Sequence, residues 1–61
     1  MNAYKITLKN VDPKNTIQYV EADSWEVRSL PNIGKCYVFN PNDKAHFKFD
    51  EVIGVDTVKT N

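Results

Sequence analysis

Little in this 61-residue chain supplies disulfide or metal-ion reinforcement. Cys36 is the only cysteine, so no disulfide can form within the chain. A structural zinc site would have to be assembled from Cys36, His46 and carboxylates at no spacing that such sites use, and no metal or other cofactor is expected. Charge of one sign is missing too: eight basic and eight acidic side chains cancel to a formal net charge of zero. A protein that depends on phosphate contacts normally carries a basic excess, so nucleic-acid binding starts at a disadvantage. The opening Met1-Asn2-Ala3-Tyr4-Lys5 lacks the charged-then-apolar pattern of a signal peptide, and the longest apolar run is the four residues from Cys36 to Phe39. No membrane span is predicted, and a soluble, cytoplasmic protein is the expectation.

Helical periodicity is also absent, since no segment places apolar residues on one helical face over three turns. What the chain has instead is alternation. Ala45, Phe47 and Phe49 alternate with His46 and Lys48, and Tyr4, Ile6 and Leu8 alternate with Lys5, Thr7 and Lys9. Side chains on a strand point to opposite faces in turn, so both segments read as strands with one buried and one wet face. Turn signals at Asp12-Pro13-Lys14-Asn15, Pro31-Asn32-Ile33-Gly34 and Asn40-Pro41-Asn42-Asp43 cut the rest into strand-sized pieces.

Thr16 to Ala22 mixes its faces, which fits either a strand covered on both sides or one with a bulge after Tyr19. A bend near Asp23 separates it from a strand containing Trp25 to Arg28. Cys36 to Phe39, apolar on both faces, reads as a central strand. A type I turn over Asn40 to Asp43 would join Lys35–Asn40 to Lys44–Phe49 as a hairpin. Counting outward from that turn pairs Phe39 with Lys44 and Cys36 with Phe47. Ala45, Phe47 and Phe49 then share the core face with Cys36 and Val38, leaving His46 and Lys48 outside with Tyr37 and Phe39. Asp50-Glu51-Val52 reads as one helical or 3₁₀ turn before a last strand at Ile53 to Val58, and residues 59–61 are expected to fray. The fold expectation is all-β: a single domain over residues 1–61, a strongly bent antiparallel sheet of about five strands with one short 3₁₀ turn.

That arrangement resembles the SH3-like small barrel. Glu-Ala-Asp-Ser-Trp-Glu-Val at 21 to 27, Tyr-Val-Phe at 37 to 39 and Phe-Asp-Glu-Val-Ile-Gly-Val at 49 to 55 look like segments of small stand-alone phage and prophage proteins. The paired tryptophans and acidic loop of peptide-binding SH3 domains are absent, so the resemblance does not imply polyproline recognition. It implies an accessory protein that acts by docking on a host protein.

Catalytic chemistry has few candidates. Cys36 and His46 are a conceivable nucleophile and base, but the expected register puts them on opposite faces, and no oxyanion motif or glycine-rich elbow accompanies them. No catalytic residue is assigned, and the chain reads as a non-enzyme. The binding candidates are Tyr19, Trp25, Tyr37, Phe39, His46 and Lys48. Trp25 belongs either to the core or its rim, or to a surface anchor. Tyr37 and Phe39, if open beside Tyr19, would form an aromatic patch for a protein, while a strongly bent sheet would bury them. His46 and Lys48 read as a wet face, or with Lys5, Lys9 and Lys44 as a basic stripe. The function expected is protein binding to a host partner or a second copy. The alternative is a single-stranded nucleic-acid binder with aromatics and lysines on one surface.

Overall fold

The computed structural model describes residues 1–9 and 12–60. Among these described residues six strands run in chain order: β1 (Asn2–Leu8), β2 (Ile17–Ala22), β3 (Ser24–Leu30), β4 (Gly34–Asn40), β5 (Ala45–Lys48) and β6 (Val52–Lys59). Single 3₁₀ turns, Pro13–Asn15 and Phe49–Glu51, precede β2 and β6. The strands form two antiparallel three-stranded sheets, ordered β2-β1-β6 and β3-β4-β5. The all-β expectation holds, but the single bent sheet or closed barrel of about five strands gives way to two sheets that are not closed into a barrel. The cause lies at Asp23, the only residue between β2 and β3. There the chain turns from one sheet into the other, and the Asp23 N–H is held by the Asn40 carbonyl at 2.9 Å.

Sheet β2-β1-β6 follows directly from alternation. Tyr4, Ile6 and Leu8 of β1 point inward and are buried. Across the β1–β2 ladder Tyr4 pairs with Val20, Ile6 with Gln18 and Asn2 with Ala22, so Gln18, Val20 and Ala22 share the inner face. Ile17, Tyr19 and Glu21 point out. The register is unbroken, so the mixed pattern of this segment reflects two partly apolar faces and no bulge. On the other side, β6 pairs with β1 with two register shifts, where Ile53 and Val58 are the extra residues. Lys59, expected to fray, pairs with Ala3. Thr60 lies outside the strand, and Asn61 is outside the described residues.

In sheet β3-β4-β5 the strand from Cys36 to Phe39 is central, as expected, but the register of the hairpin differs. Phe39 pairs with Ala45, Tyr37 with Phe47, Val38 with His46 and Cys36 with Lys48. Five residues, 40 to 44, separate the closing pair where four were expected. Asn40 is retained in β4: it pairs with Ser24, and its side-chain amide donates to Ser24 Oγ at 3.3 Å and Glu26 Oε2 at 3.0 Å. The reversal then falls on Pro41 to Lys44, with Asn42 and Asp43 in the left-handed region at φ 60° and 52°. A type I turn has neither. A slip of one residue exchanges the faces of a strand. Ala45 and Phe47 therefore share the inner face with Tyr37 and Phe39, while His46 and Lys48 share the outer face with Cys36 and Val38.

The core lies between the sheets. Tyr4, Ile6, Leu8 and Ala22 meet Phe39, with Val20, Tyr37, Ala45, Phe47, Val52 and Val55 packed around them. Phe39 is the hub: its ring sits 5.7 Å from Tyr4 and 5.9 Å, edge-on, from Phe47. Such pairs add about 0.5–1.5 kcal/mol each beyond their buried area. No helix among the described residues is long and apolar enough to cross a membrane.

Candidate functional site: an open aromatic stripe

The sheet β3-β4-β5 extends past the cover that β2-β1-β6 provides. On its inner face the cross-strand rows are Trp25–Phe39–Ala45, then Val27–Tyr37–Phe47. Phe39 is fully buried, whereas Trp25 and Val27 at the β3 end of the same rows are 38% and 40% exposed. Every residue of β3 is exposed except Leu30, which is half-buried. The apolar face thus continues out from under the opposite sheet to a free edge.

Aromatic contacts organise the uncovered part. Trp25 lies 5.5 Å from Tyr37 in a tilted pair, and Tyr37 stacks almost parallel on Phe49 at 5.3 Å. Phe49 leaves the β5 ladder at the start of the second 3₁₀ turn, which frees its ring to lie against Tyr37. The Lys35 ammonium sits 4.3 Å from the Phe49 ring centroid, a cation–π contact at the far end of the row. Trp25, Tyr37 and Phe49 form a diagonal stripe across the sheet, with Val27 beside it and one positive charge at its end. The surface carries no pocket among the described residues, so the stripe is a face and not a cleft.

The six candidate residues separate into four environments. Trp25 and Tyr37 meet in the stripe, with Trp25 at the rim of the core. Phe39 neighbours Trp25 but is core, because Tyr4 and Phe47 enclose it. Tyr19, 67% exposed, stands on the outer face of the other sheet, opposite Lys5, and does not join Tyr37. His46 and Lys48 lie exposed on the outer face of β5. The lysines divide likewise: Lys5 belongs to one sheet and Lys48 to the other, and Lys44 sits in the loop between β4 and β5 with its Nζ 3.8 Å from Met1 Sδ. Val27, Phe49 and Lys35 belong to the stripe without being among the sequence candidates; the alternation from Ala45 to Phe49 assigns Phe49 to the core. The parity of Trp25 and Val27 was a usable signal, but nothing local said where the covering sheet would end.

Cys36 and His46 share the outer face after all, as diagonal neighbours in the β4–β5 ladder. The Cys36 thiol is fully buried, however. Cys36 and Val38 are buried yet lie outside the intersheet cluster. Arg28 and Lys48 flank Cys36, and Glu26 and His46 flank Val38. Arg28 forms an ion pair with Asp43, and Glu26 accepts from Asn40, so both side chains are directed along the sheet toward the β4–β5 turn, and their hydrocarbon stems can shield neighbouring apolar residues.

No protein-family model, no curated protein and no solved structure matches the chain.

Proposed function

We propose that the chain is a non-catalytic protein-binding module and that its partner docks on the Trp25–Tyr37–Phe49 stripe. The single observation that carries this reading is the run of apolar side chains out from under the opposite sheet, which leaves Trp25 and Val27 well exposed beside the half-buried Tyr37. Exposed aromatics next to a rigid, packed base are what binding hot spots are made of, because they give up much apolar area at little cost in conformational freedom. The fitting partner presents an apolar or aromatic side chain to Trp25 and Val27 and a carboxylate to Lys35. The order of elements, with a 3₁₀ turn before a last strand that returns to the first, supports an SH3-like plan left open between its sheets. On the resemblance of its segments to phage and prophage proteins, the partner would be a host protein met in the cytoplasm.

Selection from a random peptide library displayed on an unrelated carrier tests the reading. The expected result is enrichment of sequences with a large apolar residue near an acidic one, whose binding is lost in Trp25→Ala and kept in Tyr19→Ala. Enrichment of nothing, or binding indifferent to Trp25→Ala, would overturn it.

A second reading, single-stranded nucleic-acid binding, has one observation in its favour: Tyr19 and Lys5 are cross-strand neighbours on an outer face, where a base could stack beside a neutralised phosphate. A labelled oligonucleotide at low salt would then bind and be lost on Tyr19→Ala; absence of binding removes the idea.

A further inference from the structure

Two three-stranded sheets have four edges, and three of them are poorly suited to pairing with a second copy. Strand β5 is four residues long and carries His46 and Lys48. Strand β6 is broken by two register shifts. Strand β2 carries Glu21 and no basic residue, so no pairing with itself gives an ion pair. Bulges, lysines and short length are the usual means by which sheet edges avoid association. Strand β3 has none of them. It spans seven residues, Ser24–Leu30, without proline, lysine or glycine, and its ladder to β4 is unbroken.

Its charges are also self-complementary. In a two-fold antiparallel pairing, a residue opposite its own copy lies on the axis, and the others pair symmetrically about it. With the axis at Val27, Glu26 faces Arg28 of the other copy twice over, Val27 faces Val27, and Trp25 faces Ser29. Moving the axis by one residue sets Glu26 against Glu26 or Arg28 against Arg28. Moving it by two reduces the overlap to three residues and leaves both charges without an opposite.

We propose that β3 pairs with β3 of a second copy about Val27, joining the two sheets into one six-stranded sheet with two Glu26–Arg28 pairs across the seam. Both side chains are already held in place within the chain, Glu26 by the Asn40 amide through Oε2 and Arg28 by Asp43, and each keeps further hydrogen-bonding capacity. On the opposite face the seam brings the two Trp25–Tyr37–Phe49 stripes side by side. The seam is a backbone edge and its formation does not depend on the stripe's having a partner.

Sedimentation equilibrium over a range of concentrations tests the pairing. The wild type is expected to show a reversible monomer–dimer equilibrium that weakens as salt rises. Arg28→Glu replaces both attractive pairs with repulsive ones and should weaken dimerisation on the order of tenfold or more. The double exchange of Glu26→Arg with Arg28→Glu restores opposite charges across the seam while discarding the contacts to Asn40 and Asp43. It should recover dimerisation to within about threefold of wild type, with circular dichroism confirming that each variant is folded. A wild type that stays monomeric to ~1 mM, or a dimer indifferent to Arg28→Glu, or a double exchange that fails to recover while folded, would overturn the proposal.

Discussion

The two faces of β4 are both apolar and are buried by different means. On the inner face Phe39 is covered by another sheet, with Tyr4 and Phe47 packed around its ring. On the outer face Cys36 and Val38 are equally inaccessible but stand outside the intersheet cluster, in register between Glu26 and Arg28 on one side and His46 and Lys48 on the other, long side chains whose stems can cover the strand between them. The first kind of cover is extensive but ends abruptly, leaving Trp25 and Val27 open. The second is thin but follows the strand. A small domain short of core can thus finish burying its central strand with polar side chains, and the aromatic surface left over is on the side of the sheet that faces the core.

The contrast can be broken most severely at Phe39. Phe39→Ala should cost about 3–5 kcal/mol, which is comparable to the whole stability of a domain this size, and urea titration followed by circular dichroism should find the variant largely unfolded. Val38→Ala removes two buried methyl groups beneath the polar roof and should cost about 2 kcal/mol in the same titration. Trp25→Ala sharpens the comparison from the other side. A binding loss of about 2 kcal/mol or more, roughly 30-fold, is expected against a selected peptide, with a smaller loss in stability because the side chain is already partly exposed. Arg28 tests how the roof works. If its hydrocarbon stem provides the cover, Arg28→Ala should cost about 0.5–1 kcal/mol and Arg28→Met less, since an exposed ion pair adds little by itself. The thiol reports on the same roof: Cys36 should react with a thiol-specific reagent far more slowly in the native protein than in urea.

Much of this architecture is written in local patterns. The alternation of Tyr4, Ile6 and Leu8 is sufficient for β1, the two-faced apolar run is sufficient for a central strand, and the acidic 3₁₀ turn falls within one residue of its expected place. The hairpin register is not local in the same way. It depends on whether Asn40 ends a strand or begins a turn, and that is decided by its bonds to Ser24 and Glu26, residues that come to it only when β3 pairs with β4. Asn42-Asp43 held a usable hint, because those residue types accept the left-handed region that a longer reversal needs. From that single residue follows the exchange of faces that moved Tyr37 and Phe39 inward and put Cys36 beside Lys48. The stripe itself was half legible. Trp25 and Tyr37 stand out as aromatics, whereas Phe49 looks like one more inward residue of β5 until the chain leaves the ladder, and the extent of the opposite sheet has no signature in sequence.

The most direct test is an amide chemical-shift map of the isotopically labelled protein titrated with a selected peptide. Perturbations are expected to concentrate at Trp25, Val27, Lys35, Tyr37 and Phe49, including the single indole N–H of Trp25, with Tyr19, Lys5, His46 and Lys48 unmoved. Perturbations centred on Tyr19 and Lys5, or on His46 and Lys48, with the Trp25 indole unchanged, would contradict this expectation.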